Sequence, residues 1–295
     1  MAFESLAEIV QQCEKEKKTF WQVVMEDDLR ESGGSEEDSR ERMRSTWDAM
    51  LLAAATYDER TRSASQMAGG DGGKMERYLL GQEDSGLCGT YMDEVIAEAL
   101  KMGESNACMK RIVAAPTAGA CGVLPAALVP WFKHKKGNTE EILDAMYTAA
   151  GIGQVIALRA SISGARGGCQ AEIGTASAMT AGAMVCLKGG TPEQIIHAAA
   201  IALKNLLGLV CDPVAGLVEV PCIKRGVIGA VGAMAAADMA LAGITSRIPP
   251  DQVVDAMREI GDKMDVSLRE TALGGLAATP AGEEAKTRFD MMQSE

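Results

Sequence analysis

From Gly151 to Gly282 the chain carries 19 of its 32 glycines, set among Ala, Met, Ile and Leu, and beyond Tyr147 its only aromatic residue is Phe289. A core with so few rings has to be filled by small side chains, which let helix backbones approach closely. No stretch alternates cleanly between apolar and polar residues over six positions, and Ala and Met outnumber the β-branched residues, so strand signals are weak. The expected fold is all-α or mostly α: a compact multi-helix domain of closely packed Gly/Ala-rich helices. A length of 295 residues allows one large domain or two small ones.

Several helices announce their own ends. Ser35 caps a helix with Asp38 three residues on, and Met43, Trp47, Met50 and Leu51 follow at helical spacing. Asp93 to Met102 and Glu140 to Arg159 carry the same periodicity. Thr191-Pro192-Glu193-Gln194 combines a capping Thr, Pro at the first helical position and Gln at the third, and predicts a helix reaching about Gly208. Pro249-Pro250-Asp251 opens another helix through Ile260. Gly69-Gly70-Asp71-Gly72-Gly73 reads as a loop: a phosphate cradle would need Gly at Ala68 and Ser or Thr at Met75.

Charge and hydropathy exclude several classes. The net charge of −12 repels phosphate backbones and anionic lipid surfaces, so neither nucleic acid nor membrane is an expected partner. Met1 to Lys18 is interrupted by Glu4, Glu8, Glu14 and several Lys, which predicts no export signal. Gly226 to Ile244 is apolar, but Asp238 interrupts it and Ala, Gly and Met dominate it, so it reads as a buried helix. Eight cysteines without an export signal point to a reducing, cytoplasmic setting in which thiols are core filler, nucleophiles or metal ligands.

Three of those cysteines touch helix breakers: Gly167-Gly168-Cys169, Cys211-Asp212-Pro213 and Val220-Pro221-Cys222. Cys13, Cys108 and Cys186 instead sit in apolar periodic runs, where a thiol acts as a small hydrophobe. A loop-borne cysteine beside Gly or Pro is either a ligand with an aimed sulfur or filler. No pair forms Cys-x-x-Cys, which argues against a zinc ribbon, a thioredoxin-type site and a ferredoxin run. The long separations suit a site assembled from distant loops. Three thiolates on a cubane cluster would leave one iron open as a Lewis acid.

The segments Ala114–Gly122 (AAPTAGACG), Ser161–Gly174 (SISGARGGCQAEIG), Leu203–Cys222 (LKNLLGLVCDPVAGLVEVPC) and Gly275–Pro280 (GLAATP) resemble the alpha, cluster-carrying subunit of the iron-sulfur-dependent L-serine dehydratases (L-serine ammonia-lyases). The resemblance spans nearly the whole chain. It implies one domain over 1–295, with a charged helical N-terminal part (1–105), a cluster-binding catalytic core (106–285) and a tail (286–295). It also implies an oxygen-sensitive 4Fe-4S cluster on Cys169, Cys211 and Cys222, and no pyridoxal phosphate. Cys121 lies in a matching motif without being known as a ligand. Single-chain relatives add a C-terminal cysteine; the tail Met291-Met292-Gln293-Ser294-Glu295 has none, so solvent or substrate is expected on the fourth iron.

The implied reaction removes water from L-serine and ends in pyruvate and ammonia. A metal that lowered the pKa of its bound water from about 15.7 towards 7 would stabilise hydroxide by roughly 12 kcal/mol, of which even a third is about a thousandfold in rate. The Cα proton still needs a base. His134, in Lys133-His134-Lys135-Lys136, reads as a solvated basic turn and His197 as a satisfied core histidine, and the chain has no others. The two-chain enzymes of the family carry a beta subunit with its own His motif, which leaves the catalytic base to that partner.

Five residues are candidates for substrate binding. Lys204 and Asn205 sit in a mostly apolar helix, where Lys204 either binds a carboxylate or snorkels to water. Thr117 and Gly119 follow Pro116, where free N–H groups either receive a carboxylate or cap a helix. Arg166 is either a bidentate carboxylate clamp or a surface ion pair. Asp212 and Glu219 support the cysteines or act as caps. The competing readings are a cysteine desulfidase-type lyase of the same build, a pyridoxal phosphate dehydratase, for which no Schiff-base Lys context is found, and a non-catalytic subunit.

Overall fold

The computed structural model describes residues 3–81 and 86–294. Among them the chain forms thirteen α-helices: α1 (Leu6–Glu16), α2 (Phe20–Ser32), α3 (Glu36–Ala55), α4 (Asp71–Leu80), α5 (Thr90–Ala107), α6 (Val123–His134), α7 (Thr139–Arg159), α8 (Gly164–Gly167), α9 (Thr175–Leu187), α10 (Pro192–Lys204), α11 (Cys222–Leu241), α12 (Pro250–Lys263) and α13 (Pro280–Ser294). The described residues contain no β-sheet; an isolated parallel bridge pairs Cys211 with Arg269. The fold is all-α, as the weak strand signals predict. Among the described residues no helix is long and apolar enough to cross a membrane.

Helix α9 is the axis of the molecule. Every residue from Thr175 to Val185 is buried, because α6, α7, α10 and α11 surround it. Its Ala, Gly and Met residues make that enclosure possible. A Cβ on Gly182 would meet Ile152 Cδ1 of α7 at 2.2 Å, so a methyl there would overpack the α7–α9 contact at about 1–3 kcal/mol. On the other side, Ser177 Oγ donates to Gly229 O of α11 at 2.7 Å, satisfying a hydroxyl that the crossing buries. The scarce aromatics fill the wider outer layer, where α1, α2 and α3 lie over α7 and α10. There Trp47 is fully buried and stands edge-on to Phe132, with ring centroids 5.4 Å apart. The largest apolar core runs from Phe3 to Met257.

The caps act as their sequences imply: Ser35 Oγ accepts from Asp38 N, and Thr191 with Gln194 closes a capping box. Three sequence readings need correction. Asp71, read as loop, begins α4, because the Glu104 carboxylate accepts from both Asp71 N and Gly72 N and supplies a cap from a distant helix. Helix α10 stops at Lys204 rather than near Gly208, since residues 205–208 form tight turns that end on Gly208 at φ +83°. The apolar run ending in α11 buries only one face, along Gly229, Ala230, Ala233, Ala236, Ala237 and Ala240, and leaves Ile228 60% exposed.

Candidate metal centre

Where α8 meets α9 the backbone widens into a π-type turn at Gln170–Gly174, a feature frequent at functional sites. Cys169 enters this turn, and Gln170, fully buried, fixes it in place. Gln170 N donates to Leu209 O at 3.0 Å, its Nε2 donates to Met257 O at 3.0 Å, and its Oε1 accepts from Gly208 N at 2.9 Å. Cys169 is thereby stitched to the segment that carries Cys211. Cys211 is anchored in turn: its N–H donates to Leu268 O at 2.8 Å and its carbonyl accepts from Glu270 N at 2.7 Å. A turn at Val214–Gly216 then returns the chain to Cys222. Against the sequence reading, Cys222 is not loop-borne but the first residue of α11.

The three sulfurs converge. Cys169, Cys211 and Cys222 are 2%, 2% and 7% exposed, and both other thiols are close enough to Cys169 to act on its ionisation. Cys169 Sγ, Cys211 Sγ and a Glu172 carboxylate oxygen all lie within 4.8 Å of one another. The thiols of Cys211 and Cys222, with Arg225 beyond them, pull the Cys169 thiol well below the usual thiol range, against the opposing effect of burial. The hydrogen bond each gives to Cys169, together with burial, pushes Cys211 and Cys222 up. One thiolate is thus stabilised by two thiols and a guanidinium. A converging set of soft sulfur donors is the chemistry that holds iron-sulfur clusters and other thiophilic metals.

Arg225 Nη1 donates to Asp212 Oδ1 at 2.7 Å and Val210 O at 2.8 Å, and lies 3.7 Å from Cys169 Sγ. Asp212, 3% exposed, also accepts from Leu276 N at 2.7 Å and so ties the 275–278 turn to the centre.

The serine dehydratase alpha chain family model matches residues 15–277. The chain belongs to that family. A Bacillus subtilis protein named "Probable L-serine dehydratase, alpha chain" is 44% identical over 97% of this chain and 95% of its own length. The L-serine dehydratase alpha chain of Peptoniphilus asaccharolyticus is 41% identical over 96% of each chain. The L-serine dehydratase TdcG of Escherichia coli is 45% identical over 63% of this chain, a match that takes up 41% of TdcG.

Within the chain, the candidate substrate residues separate. Thr117 Oγ1 donates to Glu172 Oε1 at 2.7 Å, and a Cβ on Gly119 would lie 3.2 Å from the same oxygen, so both stand against the thiol centre. Arg166 is exposed and lines a small pocket with Ser161, Arg258 and Asp262. Lys204 Nζ reaches Ser246 Oγ at 3.4 Å, near His197, whose Nδ1 accepts from Ser246 N; Asn205 is exposed. His134 Nε2 pairs with Glu94 at 2.9 Å on the surface. Asp212 supports the centre directly, whereas Glu219 binds Ser63 and Ser65 and holds the N-terminal part in place.

Sequence reasoning passed over Glu172 and Arg225. Each stands three residues after a cysteine of the centre, Glu172 after Cys169 and Arg225 after Cys222, the spacing that puts two side chains on one helical face. Burial raises the Glu172 carboxyl to about 7, with Cys169 and Glu270 adding to the effect and Thr117 opposing it.

Proposed function

We propose that this chain is the cluster-bearing part of an L-serine ammonia-lyase, which eliminates water from L-serine to give aminoacrylate, then pyruvate and ammonia. The observation that carries the reading is the convergence of Cys169, Cys211 and Cys222, in a chain whose relatives are named L-serine dehydratase. These three residues would hold a 4Fe-4S cluster. When bound, it supplies a Lewis-acidic iron without a protein thiol, suited to a leaving hydroxyl.

The protein's own groups do the rest of the positioning. Arg225 keeps Asp212 and the Cys169 sulfur in register, and Gln170 locks the Cys169 turn onto the 208–211 segment. Thr117 orients the Glu172 carboxylate, and Gly119 lets the Ala118–Ala120 turn approach it. Thr117 and Gly119 are the substrate-facing residues of this reading. His134 and His197 are both engaged elsewhere, so the base that removes the Cα proton comes from a beta chain, the partner that the alpha-chain names of the relatives imply.

The test is anaerobic purification. Iron and acid-labile sulfide are expected in equal amounts, with pyruvate released from L-serine when the beta chain is added. Absence of iron overturns the cluster. Full turnover by this chain alone ends the assignment of the base to the partner.

A further inference from the structure

Helix α11 starts at Cys222 and ends beside a second, separate concavity. There Met234, Ala237 and Leu241 join Met184 of α9 to give a cavity of about 430 Å³ an apolar floor, with Met184 and Ala237 buried and the other two half-buried. At about 1.5 Å per residue, Met234 lies roughly 18 Å along the helix from Cys222. The volume suits a small molecule, whose sites run to about 300–1,000 Å³.

One wall of this cavity is aromatic. Tyr91 and His134 stand edge-on with ring centroids 5.4 Å apart, and His134 Nε2 is held by Glu94 at 2.9 Å. Trp131 completes the wall, with Lys135 Nζ 5.4 Å from its ring centroid. Trp131 Nε1 is buried and finds no acceptor among the described residues.

Charge around the cavity is not neutralised. The exposed Lys135, Lys188 and Asp238 line it, and none of them forms an ion pair among the described residues. In a chain of net charge −12, this concavity carries two unpaired cations to one unpaired anion, since His134 is paired with Glu94. The Lys133-His134-Lys135-Lys136 run is therefore more than a solvated turn, because it brings an ammonium group to an apolar cavity. An apolar floor, unpaired ammonium groups and one unpaired carboxylate complement a molecule that has an apolar body, a carboxylate and an ammonium.

We propose that this cavity binds an apolar or aromatic amino acid at a site separate from the thiol centre. Lys135 and Lys188 take its carboxylate, Asp238 takes its ammonium, and Trp131 with the Met184 and Met234 floor takes its side chain. Neither the metal nor the serine reading is needed for this binding.

The test is titration calorimetry on the anaerobically purified full chain with L-phenylalanine and with 3-phenylpropanoate, the same molecule without its amine. L-Phenylalanine is expected to bind, and an excess of L-serine is expected not to displace it. Lys188→Met should weaken both ligands about tenfold, whereas Asp238→Asn should weaken L-phenylalanine about tenfold and leave 3-phenylpropanoate within about twofold. Both residues are exposed, so the variants keep the fold. Absence of L-phenylalanine binding, equal affinity in wild type and variants, equal weakening of both ligands in Asp238→Asn, or displacement by L-serine overturns the proposal. So does loss of L-phenylalanine binding when the beta chain is added, which would make the cavity a docking surface for that partner.

Discussion

Two regions of the molecule bury cysteines equally deeply and surround them differently. In the helical layers Cys13 and Cys121 are 3% and 2% exposed, and burial pushes their thiols up to about 11 and about 12. At the centre Cys169 is also 2% exposed, yet the thiols of Cys211 and Cys222 pull its own thiol down while they are themselves pushed up. Depth is the same, so depth does not decide. The neighbours do: Cys13 lies within α1, and the Cys121 thiol donates to the Met102 carbonyl at 3.7 Å. Around Cys169 a widened turn, an isolated bridge and a left-handed Ala215 break the helical pattern. That irregular backbone brings two S–H groups and a guanidinium onto one sulfur.

The largest effect that could break this contrast comes from replacing the same atom in both regions. Cys169→Ser, Cys211→Ser and Cys222→Ser should each lose most or all bound iron, because a hydroxyl replaces a soft thiolate, whereas Cys13→Ser should keep it. Iron per chain after anaerobic purification reads the outcome; wild-type iron in the variants of the centre would erase the distinction. Next in size is Arg225→Met. It leaves the buried Asp212 without its cation and should cost about 3–5 kcal/mol in urea unfolding of the metal-free chain. Arg225→Lys should recover part of that loss. An unchanged unfolding midpoint in Arg225→Met would show that the polar network does not hold the centre together.

The two regions also differ in how much of them could be read from sequence. Signals confined to one turn were legible: Ser35 with Asp38, and Thr191 with Gln194, open helices where their spacing says. The three cysteines of the centre stood out because Gly and Pro flank them. What escaped depends on contacts across the fold. Helix α4 starts at Asp71 only because Glu104 folds back to cap it, which overrides the loop preference of four glycines. Glu270 meets Gly164 only through the pairing of Cys211 with Arg269, a register with no local pattern behind it. Glu172 lay between these cases: its spacing from Cys169 was visible, but its meaning required knowing that Cys169 lies in a helical turn.

The smallest effect gives the sharpest boundary between the regions. Cys121 follows directly on the Ala118–Ala120 turn, whose Gly119 backs Glu172, so its position in the fold brings it to the edge of the centre. Its thiol instead points to Met102 O, 3.7 Å away in α5, at a distance suited to a weak sulfur donor. Cys121→Ser swaps that sulfur for a hydroxyl on a shorter bond, which leaves Met102 O farther off and buries a polar group with poor geometry. The expected cost is about 1–2 kcal/mol of unfolding free energy, with iron content unchanged. Cys121→Ala, which removes the polar atom and leaves only a small void, should cost about 1 kcal/mol. If Cys121→Ser were to lose iron while Cys121→Ala kept its fold, Cys121 would have to be counted with the centre, and the line between the two kinds of buried thiol would run through α5 instead of around it.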